Sequence, residues 1–371
     1  MKHISILALS AIASIGFMPF GAHAGPISRF QSNGVITNNI AAMQHSIMMN
    51  TFDNFGAALD LGEYAEYKEN AMTNYSEPCN CDPVYGEMLF YGEYGDDTGT
   101  MAADNTNAET GHNGGDITES NYNWFNWQHA QDNAKFSGYD KIKSNYDLIS
   151  MGFANQPLNL DNGFSQFGGF GGVVLAREKA DDLKLSENGG YVGLFQGYNI
   201  NRLHITFAAD AGLLFSDADS SLDDYDFMNF WAGAAFNTAY DIVLSKRVTL
   251  EPGVYTGYTW IYSNGYESAT GHELSLTSSH MFEVDPSLRA IVNFANNWMG
   301  ALSARYVFNF PSYGTTKISG VKIPELELDD YSEFILSVQK NAERFGFSAS
   351  VGYHNGGRTG WLGSIQLRYV F

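Results

Sequence analysis

The feature that most narrows the folding options is the two-residue period of the last eleven residues, Trp361-Leu362-Gly363-Ser364-Ile365-Gln366-Leu367-Arg368-Tyr369-Val370-Phe371. Trp361, Ile365, Leu367, Tyr369 and Phe371 share one face, and Ser364, Gln366 and Arg368 share the other. Successive side chains of a strand point to opposite sides of its sheet. This segment is therefore a strand with one apolar and one wetted face.

The same alternation recurs upstream. Trp298, Leu302, Ala304, Tyr306 and Phe308 oppose Ser303, Arg305 and Asn309. Phe345, Phe347, Ala349, Val351 and Tyr353 oppose Gly346, Ser348, Ser350 and Gly352, and Leu203, Ile205, Phe207, Ala209, Leu213 and Phe215 oppose His204, Thr206 and Asp210. The pattern predicts twelve strands, near 84–95, 139–154, 162–177, 189–199, 203–215, 227–243, 248–262, 274–294, 298–310, 329–340, 344–353 and 359–371. The eighth is expected to bend at Asp285-Pro286, because proline removes a ladder donor. Nearly all reach the ~9–11 residues that a tilted strand needs to cross a bilayer. An even count suits a closed single-chain barrel, with apolar faces on lipid and polar faces on the lumen.

Composition excludes the other classes. Charged residues are 16% of the chain, where soluble domains carry roughly 25%. The net charge of -21 argues against a nucleic-acid partner, which would call for basic patches. Aromatics at 15% argue against general disorder. Past the N-terminus no stretch reaches the ~18 apolar residues of a transmembrane helix. The expected fold is all-β: a closed twelve-stranded antiparallel transmembrane barrel with a partly helical N-terminal segment.

The N-terminus reads as an export signal. Lys2 supplies the positive region, residues 4–20 the apolar stretch, and Ala22-His23-Ala24 a small-x-small cleavage site before Gly25. The domain reading is then 1–24 signal peptide, 25–83 N-terminal segment and 84–371 barrel. Connections alternate in length. Short ones fall at 199–202, 244–247, 295–297 and 340–344, and long polar ones at 96–138, 178–188, 216–226, 263–273 and 311–328. Barrels of the outer membrane have short periplasmic turns and longer outer loops. With a periplasmic C-terminus, every long connection falls outside. The acidic 216–226 loop matches no EF-hand spacing and reads as solvated.

Two segments stand apart. In 25–83, Ile40, Met43 and Ile47 line one helical side with Met48 and Phe52 alongside, and Thr37 or Asn38 is the expected N-cap. A helix about 10–12 Å across fits the ~15 Å between side chains of a twelve-stranded barrel. The alternative is an amphipathic segment packed under the barrel. In 96–138, Tyr122, Trp124, Phe125 and Trp127 form an aromatic cluster read as part of a surface loop, in contact with a ligand, with other loops or with the membrane rim. Cys79 and Cys81 permit a disulfide in an oxidising compartment, though a Cys-x-Cys ring is strained. A nucleophile elbow, HExxH, phosphate loop or glycine fingerprint is absent from the right context. Neither a cofactor nor a metal is expected, and the chain does not read as an enzyme. The glycine run Gly168-Gly169-Phe170-Gly171-Gly172 reads as space in the wall or room for a luminal helix.

The ending on Phe371, with Tyr369, Leu367 and Ile365 in phase, resembles the terminal strand of bacterial outer-membrane proteins. That resemblance implies recognition by the barrel assembly machinery and contact with outer-membrane lipid and lipopolysaccharide. Over 84–371 the chain resembles the translocator domain of autotransporters. The likeness lies in Tyr85-Gly86, Phe167 to Gly172, Gly189-Gly190-Tyr191-Val192-Gly193, Leu250-Glu251-Pro252-Gly253 and the Phe371 ending. The family implies twelve strands, a helix through the pore and a secreted passenger. Residues 25–83 depart from it, being too short for the usual passenger. Some members cut themselves between adjacent asparagines. Asn38-Asn39 is such a pair, nothing else of that motif maps, and capping is the favoured role. The rival readings are a cation-preferring porin and a surface-binding protein acting through 96–138.

Overall fold

The computed structural model describes residues 33–59, 121–136, 142–160, 162–180, 183–219, 224–264, 266–267, 273–318, 320–322, 327–342 and 344–371. One long helix, α1 (Asn33–Leu59), precedes the barrel. The wall consists of β1 (Tyr122–Ala134), β2 (Ile142–Ala154), β3 (Gly163–Ala180), β4 (Leu183–Ile200), β5 (Leu203–Asp219) and β6 (Asp224–Tyr240). It continues with β7 (Val248–Ser263), β8 (Ser279–Asn293), β9 (Trp298–Ser312), β10 (Tyr331–Asn341), β11 (Phe345–Gly356) and β12 (Arg358–Val370).

Each strand pairs antiparallel with its sequence neighbour, and the sheet closes where β12 meets β1, from Tyr122 opposite Val370 to Ala134 opposite Arg358. Closure gives every strand a neighbour on both sides. Backbone groups in hydrocarbon demand this, since no water is there to bond them. Among the described residues the fold is thus a closed twelve-stranded antiparallel barrel with one N-terminal helix.

The pleat sorts side chains as the alternation requires. Leu302, Phe345, Trp361, Ile365 and Leu367 are exposed on the outside, Leu302 at 56%. Arg358, Gln366 and Arg368 of β12 are buried inside. An exposed apolar belt and a polar interior invert the soluble pattern, and lipid is the solvent that makes the inversion favourable.

At one end of the barrel the connections are tight. Asn201 closes the β4–β5 turn with φ 57°, and Asn296 and Asn297 close β8–β9 with φ 61° and 58°. Asparagine tolerates this left-handed region better than most residues. The opposite end carries a small sheet of Tyr266–Glu267, Glu273–Leu276, Thr316–Ile318 and Val321–Lys322.

Two expectations are corrected. The position beside β12 is taken by Tyr122–Ala134, and the expected first strand at 84–95 lies outside the described residues. The barrel wall as described therefore starts at Tyr122, inside what had read as loop 96–138. The expected long loops 178–188 and 216–226 are largely ladder. Arg177, Glu178 and Lys179 pair with Ser186, Leu185 and Lys184, and Ser216 and Asp217 pair with Phe227 and Asp226. Strand pairing continues past the apolar belt, where polar residues on both faces hide the two-residue period. At Asp285-Pro286, β8 is not broken. It stays paired with β7 throughout and loses only the ladder toward β9 between Val284 and Ser287.

Candidate functional site: the occupied lumen

The site is the barrel interior together with the helix it encloses. Ala41, Ala42, Met43 and Gln44 favour helix, and the Thr51 hydroxyl donates back to the Ile47 carbonyl at 3.0 Å. Ile40, Met43, Ile47, Met48 and Phe52 are all buried, but so are Asn38, Asn39, Gln44, His45 and Ser46. A helix lying on a surface would expose one stripe. Burial on every side means enclosure by the wall. Thr37 and Asn38 are not caps, because the helix already starts at Asn33 and they fall in its second turn.

Several polar side chains of α1 meet partners on the wall. Ser46 Oγ and the Tyr146 hydroxyl of β2 lie 2.9 Å apart. Gln44 Nε2 donates to Asp210 Oδ1 of β5 at 2.8 Å, and Gln44 Oε1 accepts from the Thr259 hydroxyl of β7. Trp231 Nε1 of β6 donates to the other oxygen of Asp210 at 3.2 Å. Asn50 Nδ2 donates to Gln128 Oε1 of β1 at 2.5 Å. His45 Nδ1 faces Glu283 and Asp285 of β8 at 3.3 and 3.4 Å. Buried polar groups are costly unless bonded, so this set fixes both the depth and the rotation of α1.

Asn38 and Asn39 anchor the other end of the helix. Arg358 Nη2 donates to the Asn38 carbonyl at 2.8 Å, Asn38 Nδ2 donates to the Tyr313 hydroxyl at 2.9 Å, and Asn39 bonds Glu178. Arg358 and Glu178 sit near the longer-loop end of their strands and Tyr313 just past that end of β9, whereas Gln128 is midway along β1. The helix therefore enters at the loop end and descends toward the tight turns.

A chain of charges runs along β9, β10, β11, β12 and β1, which are neighbours in the wall. Arg305 Nε lies 3.0 Å from Glu333 Oε1, and Glu333 Oε2 is 2.7 Å from His354 Nε2. His354 Nδ1 is 2.8 Å from Asp132 Oδ1, and Asp132 Oδ2 is 3.5 Å from Arg358 Nη1. All five side chains are nearly inaccessible. Sequence alone could assign no role to His354 or Asp210, because their partners come from other strands. His204 pairs with Asp241 at 3.3 Å, at the turn end.

Glycines make the space. A Cβ at Gly233 would stand 1.7 Å from Gln44 Nε2 of α1, so this position admits the helix. Within the glycine run, a Cβ at Gly172 would meet the Tyr191 hydroxyl at 2.7 Å, so that glycine makes room for a wall aromatic instead. Between α1 and the β9–β12 wall lies a polar cavity of about 80 Å³, lined by Asn50, Ser303, Ser337, Ser348, Ser350 and Ser364 among others.

The remaining expected site residues sort as follows. Tyr122 and Trp124 are buried luminal residues of β1, while Phe125 and Trp127 project outward from the same strand. They belong to the wall and not to a surface loop. Ile365, Leu367, Tyr369 and Phe371 all lie on the outer face. Cys79 and Cys81 lie outside the described residues.

No protein-family model matches the chain, and no curated protein matches it in sequence. Solved structures do match in fold. The β domain of the Bordetella autotransporter BrkA aligns at TM-score 0.55 and 14% identity, covering 67% of this chain and 98% of that one. The transport unit of the autotransporter AIDA-I from Escherichia coli gives 0.56 and 12%, covering 69% and 92%. The translocator domain of the autotransporter NalP from Neisseria meningitidis gives 0.54 and 10%, covering 68% and 89%. The barrel shares its fold with these autotransporter domains, and an N-terminal helix lies in its lumen.

Proposed function

We propose that the protein forms a hydrophilic conduit across the outer membrane of a Gram-negative bacterium and holds its own N-terminal segment inside it, as a translocator does. The carrying observation is the course of α1, which enters at the loop end, descends toward the turns and has several polar side chains bonded to the wall on the way. In this reading residues 1–24 direct export to the periplasm and are removed. The assembly machinery reads Phe371, Tyr369, Leu367 and Ile365, the C-terminus stays periplasmic, and residues preceding α1 emerge at the cell surface. Outer-membrane lipid and lipopolysaccharide face the apolar belt. The role is transport or display and not catalysis.

Planar-bilayer conductance of refolded 25–371, beside a chain lacking 25–60, tests this. The full chain should be nearly closed and the shortened one should conduct steadily. Equal conductance from both would remove the plug reading.

The serine-lined cavity beside α1 supports a second reading, a narrow channel for small cations. Asp132, Glu178, Glu187, Asp210, Glu283, Asp285 and Glu333 line the interior, and an acidic lumen favours cations. A cation-selective current through the intact chain would favour it. The surface-binding reading loses Tyr122, Trp124, Phe125 and Trp127, which are wall residues.

A further inference from the structure

His45 of α1 meets two carboxylates of one strand. Glu283 and Asp285 stand two residues apart on β8 and so project to the same, luminal face. His45 Nδ1 is 3.3 Å from Glu283 Oε2 and 3.4 Å from Asp285 Oδ2, and one ligand atom from each residue lies within 4.8 Å of the other two. All three residues are buried, and Asp285 is 0% exposed. Among the described residues, neither oxygen of Asp285 accepts a hydrogen bond. A carboxylate buried in that way is costly unless something positive supplies the missing contacts.

The hydrogen bond between His45 and Glu283 is long and leaves Asp285 unserved. A charge-assisted imidazole–carboxylate bond closes to about 2.7–2.9 Å, as His354 does with Glu333 at 2.7 Å. His45 Nδ1 stands farther than that from both of its carboxylates, and its one proton cannot serve two acceptors well. A shared metal ion accounts for it directly. Two donors bound to one zinc at about 2.0–2.1 Å and a roughly tetrahedral angle stand ~3.3–3.4 Å apart. The donor set agrees as well: imidazole nitrogen with carboxylate oxygen suits zinc, whereas calcium and magnesium take oxygen ligands. The nearby cation Arg305 is engaged with Glu333, so a dication would neutralise the charge that His45, Glu283 and Asp285 carry together.

We propose that His45, Glu283 and Asp285 bind a zinc-class divalent cation that clasps α1 to β8, with water completing the coordination. The second cluster of this kind, His204 with Asp241 and Glu251, carries less, because Glu251 already faces Arg289 at 3.7 Å and is more exposed. It serves as a control. Metal binding does not depend on the conduit reading. Its effect on conductance does.

The test uses the full mature chain, folded in detergent and stripped with a chelator. Zinc is titrated by calorimetry, metal content is measured, and cobalt is added as a spectroscopic probe. The site predicts one zinc per chain and the intense visible bands of four-coordinate cobalt. Both should be lost in His45→Ala and Asp285→Asn, with affinity falling by more than the 10–100-fold carried by outer-sphere partners. Both should persist in His204→Gln and in Cys79→Ser/Cys81→Ser. Heat-dependent gel mobility checks that each variant is folded, and Glu283→Gln replaces any variant that is not. Zinc absent at stoichiometric amounts, unchanged in folded His45→Ala, or lost with the cysteines would overturn the proposal. If zinc binds as predicted, adding it should further lower the current of the intact chain. A current unmoved by bound zinc would leave the site standing and count against the plug.

Discussion

The two arcs of wall around α1 solve the problem of a polar interior differently. Along β9 to β12 and β1, charges satisfy each other: Arg305, Glu333, His354, Asp132 and Arg358 form a linked chain within the wall. Along β2 and β5 to β8, wall groups look to the helix: Tyr146 to Ser46, Asp210 and Thr259 to Gln44, Glu283 and Asp285 to His45. The first arc meets α1 at Arg358 and Gln128, but its charges are paired without the helix, and it borders the polar cavity. The second is completed by α1. A lumen can thus have its charges paired in advance on one side and left for its occupant on the other.

The largest expected effect comes from breaking the self-paired arc. Arg358→Ala strips Asp132 of a buried cation and should cost about 3–5 kcal/mol, measured by urea unfolding of the barrel in micelles. Most of the cost should remain in a chain lacking 25–60, where only the bond from Arg358 to the Asn38 carbonyl is already gone. A loss that vanished with the helix would show that this arc depends on α1 after all. Gly233→Ala acts on the other arc by driving a Cβ into Gln44. It should cost about 1–3 kcal/mol and open the pore part of the time, seen as bursts in single-channel records. Tyr146→Phe removes one hydroxyl partner of Ser46 and should cost ~1 kcal/mol. That cost should disappear in the helix-deleted chain, so a double-mutant cycle with Ser46→Ala reads the coupling. The smallest effect belongs to the cavity: Ser350→Ala should change stability by less than about 0.5 kcal/mol while altering any residual current through the intact chain.

How far the residues reveal this arrangement depends on the range of the interaction. The strands from 139 onward are legible because lipid on one side and water or a plug on the other impose a two-residue period. The first strand is not, because β1 mixes the faces. Tyr122 and Trp124 point inward, Phe125 and Trp127 outward, and His129 and Gln131 follow on the outer face. Aromatics on both sides of a polar stretch read as a loop. The helix is legible from Ile40, Met43, Ile47, Met48 and Phe52, but its start is not, because Thr37 and Asn38 look like caps. Both are buried in the lumen instead, where Asn38 meets Arg358 and Tyr313, far away in sequence.

Sequence by itself therefore determined the class of the fold, the eleven strands from 139 onward with their inward and outward faces, and the presence of an apolar helix before the barrel. These are local facts, written in periods of two and of 3.6 residues. Tertiary structure alone decided which segment closes the barrel, that α1 lies within it, and which acids meet which bases. Those pairings join residues as far apart as Asp132 and His354 or His45 and Glu283. They exist only once the sheet has closed, because closure brings distant strands face to face across a narrow lumen and excludes the water that would otherwise satisfy their polar groups.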